Sequence, residues 1–398
     1  MFYKQFKYYC FSFILFLPEV HNMKNNLILK IALLSCCFVT ASVNAVAGNI
    51  PAMAEAFPNV PLSLIELLTT IPSLFSMAAV LISNKIASAI GYKKTVLAGC
   101  ISSAAAGTVP VILNNVYLIL IARAIFGFGC GLISSSLLIL IVRFFEGEER
   151  SQMIGLQGSA GGLASLVTTF VAGRLLVYGW NVSFLVYLSG FAVFLLVLFF
   201  IPHTGSIRTS AADNAEHKGK LNLYFNGLIM FVSVLTATLF VIKCASLASM
   251  KDISGSSTGS LLVMCISAGS MIAGAIYGKM TAHLKKISLA VFDLICALGF
   301  ITASFASGFF MIALGAFLLG FGYLAFVPCL QESVSSYGAE GTAAVLVFQG
   351  LGAFAAPYLG SLLSIFSESL SVQFILAAGI FVILALIAFV TEGRKATA

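Results

Sequence analysis

The sequence predicts an all-α membrane protein built as two similar six-helix bundles, and three observations carry that expectation. Short segments recur at a nearly constant spacing, close to half of the 398-residue length. Gln157-Gly158-Ser159-Ala160-Gly161 returns at Gln349-Gly350-Leu351-Gly352, an offset of 192, and Gly127-Phe128-Gly129 returns at Gly320-Phe321-Gly322, an offset of 193. Asn84-Lys85-Ile86 is matched by Gly278-Lys279-Met280 at an offset of 194. The composition is 60% hydrophobic and only 9% charged, against about 25% charged in soluble domains. So few charges cannot cover a water-exposed surface of this size, so lipid must serve as solvent. Finally, the apolar runs divide into six, a polar stretch, and six more.

A spanning helix needs about 20 mostly apolar residues. Runs of that kind lie near 27–50, 62–83, 95–113, 117–141, 151–176 and 182–202. The second set lies near 223–247, 258–281, 287–306, 308–331, 341–364 and 371–391. Turn residues separate them: Pro58 and Pro61, Asn114-Asn115, Gly179, and Ser367 to Ser369. Residues 203–222 are the one sustained polar stretch, with Arg208, Asp213, Glu216, Lys218 and Lys220, and read as a solvated connection. The expected organisation is therefore a bundle over 23–202, a linker over 203–222 and a bundle over 223–398. Residues 1–22 contain an apolar stretch too short to span, and two readings stand open for them, a non-structural extension or a part of the folded protein.

Lys and Arg concentrate in cytoplasmic loops, which fixes orientation. With the N-terminus inside, 17 of the 21 basic residues fall on the inner side, and only Lys251 falls in an outer loop. Both termini and the linker are thus expected to be cytoplasmic, in a multi-pass protein of the cell membrane. The +7 balance belongs to these loops, so nucleic acid is not expected as a partner. Nine cysteines are scattered along the chain, eight of them within apolar helices, and read as small buried hydrophobes. The four histidines, His21, His203, His217 and His283, lie in loops or the tail, away from any intramembrane acid–base pair. Neither a metal site, nor a cofactor, nor a membrane enzyme is implied, and no nucleotide-binding G-x-x-x-x-G-K loop occurs.

Two six-helix halves with a basic loop after the second helix, repeated after the eighth, resemble the major facilitator superfamily over about residues 24–392. The family's loop reads G-x-L-A-D-R-x-G-R-K. Here Gly91, Lys93 and Lys94 match, while Asn84, Ser88 and Ala89 replace the Gly, Asp and Arg. The resemblance implies a gating role for Ser88, Gly91, Lys93 and Lys94, with a weaker charge network where Ser88 replaces the acid. Arg123-Ala124-Ile125-Phe126-Gly127-Phe128-Gly129-Cys130-Gly131 looks like the family's R-x-x-x-G-x-G pattern in the fourth helix. Gly127, Gly129 and Gly131 read as close-packing positions. The G-P-x-x-G-G signature of drug–proton antiporters is absent from Thr168 to Gly173, although Gly179-Trp180 follows. The overall pattern still resembles the drug-efflux-like branch.

A membrane-embedded arginine marks a site unless it is satisfied internally, so Arg123 is a candidate for substrate contact, with backbone carbonyls between helices as the competing role. The resemblance implies a central cavity on the first, fourth, seventh and tenth helices with help from their neighbours. Its candidate lining is Asn44, Arg123, Gln157, Asn226, Lys243 and Gln349, alongside Thr40 and Asn49. Lys243 has snorkelling to the outer surface as its alternative. Asp293 and Glu66 are the candidate coupling carboxylates. For Asp293 the plainer role is an ion pair with Lys285 or Lys286, and for Glu66 that of an exposed interfacial acid. The function expected is a monomeric secondary transporter exporting small hydrophobic or amphipathic molecules against a coupling ion, the proton. The alternative is uptake of a sugar or small anion with Arg123 and Lys243 as the binding cations.

Overall fold

The computed structural model describes residues 27–202, 220–253, 257–284, 287–333 and 338–397. Residues 1–22 and most of the 203–222 linker lie outside the described residues. The first half contains α1 (Leu27–Ala56), α2 (Leu62–Ile90), α3 (Tyr92–Thr108), α4 (Val116–Phe144), α5 (Gly147–Leu175) and α6 (Val182–Phe200). The second contains α7 (Lys220–Met250), α8 (Thr258–Leu284), α9 (Ser288–Ser304), α10 (Phe309–Ser333), α11 (Gly338–Phe366) and α12 (Leu370–Thr397). Among the described residues ten helices are long and apolar enough to cross a membrane. The other two, α3 and α9, each have 17 residues and hold the same place in their halves, an order consistent with twelve crossings. Large apolar side chains such as Phe310, Ile365 and Phe389 stay exposed, as lipid solvent permits.

The packing repeats with the sequence. In the first half α4 packs on α2 and α3, α1 on α5, and α3 on α6; in the second α10 packs on α8 and α9, α7 on α11, and α9 on α12. The two halves meet chiefly along α5 with α8 and α2 with α11, and the end of α1 also touches α7 and α8. The recurring glycines make these contacts possible. A side chain at Gly127 would collide with the backbone of Pro72 on α2, and one at Gly320 with that of Ile266 on α8. Two residues on, a Cβ at Gly129 would lie 2.7 Å from the Gly99 carbonyl on α3, and one at Gly322 2.7 Å from the Phe292 carbonyl on α9. Gly131 continues the contact with α2, against the Ser76 carbonyl. Small residues let membrane helices approach this closely, so the echo in the sequence is a packing device used twice.

One element departs from expectation. The first helix, expected to run without interruption over 27–50, is regular only over Leu27–Thr40. It then passes through 3₁₀ turns at Ala41–Asn44 and Ala47–Asn49 before resuming over Ile50–Ala56. Pro51 lacks the N–H that would close a helical bond to Ala47, and Gly48 weakens the turn before it. The fifth helix, lacking the antiporter signature, runs unbroken over Gly147–Leu175.

Candidate transport cavity

A cavity of about 750 Å³ lies between the halves, walled by α1, α4, α5, α7, α8 and α10. A smaller one of about 320 Å³ adjoins it toward α2 and α11, and Val43, Asn44, Thr238 and Tyr323 line both. Of the six residues expected to line the cavity, the structure brings three there. Asn44 sits where α1 breaks and faces both spaces, Gln157 lines the larger, and Gln349 lines the smaller. Hydroxyls complete the polar lining: Thr40, Thr238 and Ser270, and the Ser165–Ser267 pair, whose oxygens lie 2.9 Å apart across the α5–α8 seam. Neither cavity has a charged side chain among its described lining residues. Tyr323, close enough to Gln349 for hydrogen bonding, is a lining residue that residue-type reasoning missed. It follows the repeated glycines, Gly320-Phe321-Gly322-Tyr323, where the first half has Cys130.

Arg123 lies elsewhere, and its reading as a cavity residue is corrected. It is fully buried, and it lines neither cavity. Its Nε donates to the Leu68 carbonyl at 2.9 Å and its Nη2 to the Val43 carbonyl at 3.0 Å. Leu68 is four residues before Pro72, which has no N–H to return, so this carbonyl is orphaned within α2. Val43 lies in the 3₁₀ turn where α1 breaks. The arginine therefore takes up carbonyls that two irregular helices expose, which apolar surroundings require. Aromatic faces enclose it, with Phe126 at 4.5 Å, Tyr187 at 5.2 Å and Phe184 at 6.0 Å from the guanidinium carbon. Tyr187 donates its hydroxyl to the Ser42 carbonyl at 3.3 Å, and Asn49 donates to the Ser183 hydroxyl. Asn49 is thus also a staple of the broken α1.

Two of the other three charged candidates for cavity or coupling pair with each other. Glu66, far from being an exposed interfacial acid, is 1% exposed, and Lys243 does not snorkel outward. The Lys243 ammonium lies 2.7 Å from Glu66 Oε1, joining α2 of one half to α7 of the other. The lysine stem passes over Gly360 of α11, where a Cβ would stand 3.0 Å from its Cε. An acid and a base excluded from water require such pairing. Asp293 is also fully buried, and neither of its carboxylate oxygens has a hydrogen-bond partner among the described residues. Its expected partners Lys285 and Lys286 lie outside the described residues. Asn226 is half-buried on α7 and, like Asp293, lines neither cavity.

The loop between α2 and α3 is a single residue. Gly91 has φ 91°, which side-chain-bearing residues rarely adopt, and this turn ends α2 and starts α3. Ser88 returns its hydroxyl to the Lys85 carbonyl of its own helix at 2.8 Å. Lys93 donates at 2.8 Å to the Leu198 carbonyl in the last turn of α6, where helical carbonyls lack partners. Lys94 is exposed.

Two pseudo-symmetric helical halves enclose a central cavity with no charged side chain among its described lining residues, an architecture suited to a membrane carrier. The sequence pattern of the Major Facilitator Superfamily matches residues 32–346, and the chain belongs to that family. It is similar to the multidrug transporter protein MdtP of Bacillus subtilis (strain 168), with 31% identity over 112 residues, 28% of this chain and 21% of that protein. The multidrug efflux pump SdrM of Staphylococcus aureus (strain N315) is 28% identical over 120 residues, 30% of this chain and 27% of that one. The matched stretch thus spans about a quarter of either relative. Among solved structures, the fold resembles the human organic anion transporter MFSD10 (TETRAN), with TM-score 0.68, 14% identity and coverage of 93% of this chain and 100% of that one. It also resembles a point mutant of the peptide transporter POT in complex with alafosfalin, with TM-score 0.74, 12% identity and coverage of 92% and 94%.

Proposed function

We propose that this protein is a secondary active transporter that exports small hydrophobic or amphipathic compounds by alternating access, with a proton gradient as the driving force. The observation that carries this reading is the cavity of about 750 Å³ between the halves, apolar with amide and hydroxyl groups and no charged lining residue among those described. Such a surface holds an apolar body while a few hydrogen bonds orient it. Asn44, Gln157, Gln349 and Tyr323 are the groups that would do so. The multidrug relatives support the same substrate class. The alternative, uptake of a sugar or small anion bound by Arg123 and Lys243, loses its cations, since one is engaged by carbonyls and the other by Glu66.

For coupling, Glu66 is the better placed of the two carboxylates because its partner belongs to the opposite half. Rocking the halves apart at that end separates the pair and gives Glu66 a choice between Lys243 and a proton. With both termini cytoplasmic and the chain in the cell membrane as a monomer, the end where Glu66 and Lys243 meet faces outward. The test is substrate-dependent proton flux in proteoliposomes of known orientation, using compounds found in a growth screen of an efflux-deficient host. Export requires the substrate to leave the cytoplasmic side as protons enter. Movement of both in the same direction would instead establish uptake.

A further inference from the structure

A separate recess of about 560 Å³ lies at the end of the bundle opposite the termini. Both halves wall it: α1 around Pro51 and Glu55 with the turn over 176–180 on one side, Ser249 of α7 and Thr258 of α8 on the other. The local sequence builds the first wall. After α5 the chain makes a 3₁₀ turn over Leu176–Tyr178, and Gly179, at φ 137°, redirects it so that Trp180 follows. Trp180 is held by edge contacts with Phe57, centroids 5.2 Å apart, and Phe184, 6.2 Å apart. Tyr178 beside it remains exposed.

Among its described lining residues the one charge is Glu55. It is exposed and makes no ion pair among the described residues. The described cations adjacent in sequence to the lining segments have contacts elsewhere. Lys251 donates to the Ser304 and Ala306 carbonyls at 2.9 and 2.7 Å, Lys243 pairs with Glu66, and Arg174 stacks over Phe170 at 5.7 Å. An uncompensated carboxylate thus shares a recess with an indole and a phenol, whose faces attract cations. Neighbouring Pro51 and Val177 offer apolar surface.

We propose that this recess binds an amphipathic aromatic cation, held by Glu55 through charge and by Trp180 and Tyr178 through their rings. Gly48 of α1 and Gly259 of α8 meet backbone to backbone beside the recess, and because the walls belong to different halves, an occupant bridges that seam and holds it closed. The site is independent of the central cavity, whose lining includes neither Glu55 nor Trp180, and it stands whether or not the export reading does.

Trp180 is the chain's single tryptophan and therefore reports on this recess alone. Titration of the purified full chain with N-benzylpyridinium, an aromatic cation that quenches indole fluorescence, is expected to give saturable quenching. Glu55→Gln should weaken the apparent affinity roughly three- to five-fold, as expected for loss of one solvent-exposed charge contact. Glu55→Asp, which keeps the charge, should retain most of the affinity and so separates charge from folding. Linear, non-saturating quenching overturns the proposal, and so does equal affinity in wild type and Glu55→Gln.

Discussion

A guanidinium keeps its charge and five donors in any protein environment, so a membrane helix can bury one only where acceptors already wait. Val43 and Leu68 supply them to Arg123. Each stranded carbonyl costs about 1–3 kcal/mol, so Arg123→Ala is expected to lower membrane yield and melting temperature, while the molecules that fold keep most of their flux. Of the two roles the sequence left open, substrate contact would give the reverse, loss of flux with folding spared. An Arg123→Ala protein with unchanged melting temperature and no transport would return the arginine to the substrate's side. The Glu66–Lys243 pair leads to a different expectation. Removing one member of a buried pair costs about 3–5 kcal/mol, whereas replacing both by apolar residues is often tolerated. Glu66→Gln or Lys243→Met alone should therefore destabilise. The double variant Glu66→Leu/Lys243→Met should fold and exchange substrate but fail to accumulate it against a gradient in proteoliposomes. Proton-driven accumulation at the wild-type level in that variant would remove Glu66 from coupling.

At the scale of elements, two irregular helices and one arginine form a single arrangement. Pro72 opens α2, Gly127 lets α4 reach the opened turn, and Arg123 one turn earlier on α4 fills it. If this is the arginine's purpose, Pro72→Ala restores an N–H to the Leu68 carbonyl and makes the arginine partly redundant. A double-mutant cycle tests this: Arg123→Ala should cost less stability in a Pro72→Ala background, with a coupling of about 1 kcal/mol or more. Additive losses would mean the two residues act apart. Much of this level was legible beforehand, because spans, breaks and the doubled glycines depend on local pattern and on a repeat the chain displays to itself. The α1 break was not, although Gly48 and Pro51 were visible, because an apolar run reads as continuous until its backbone partners are known. The Glu66–Lys243 pairing was missed for the same reason. Each alone resembles an interfacial charge, and only the docking of α2 against α7 reveals a pair. Tyr323 was missed because a tyrosine among many aromatics carries no signal. Its register with Cys130 in the repeat was the available clue.

Across the whole molecule, the repeat shows how one end is sealed and why the seal is reversible. Ser260 of α8 is the counterpart of Glu66 of α2 at the 194-residue offset. Ser260 meets the backbone of Gly48 on α1, and a Cβ at Gly173 on α5 would lie 2.8 Å from its hydroxyl oxygen. Glu66 meets Lys243 on α7, whose stem crosses Gly360 on α11. One seam is therefore closed by small residues in contact and its pseudo-symmetric mate by charge. Gly158 and Gly161 have no neighbour where a Cβ would stand, so their faces of α5 border open space while the far end is shut. A carrier of two halves works by moving one against the other, so contacts across these seams must break in each cycle. Ser165 and Ser267 offer a direct test, since their hydroxyl oxygens lie 2.9 Å apart on opposite halves. In a background with Cys37, the one cysteine among the described residues lining the central cavity, changed to serine, Ser165→Cys/Ser267→Cys should form a disulfide on oxidation. Transport in vesicles should then stop and return with reductant, while Ser165→Cys alone stays active under oxidant. If the cross-linked protein transports at the uncross-linked rate, the α5–α8 seam does not part, and the motion must be confined to α2 and α11.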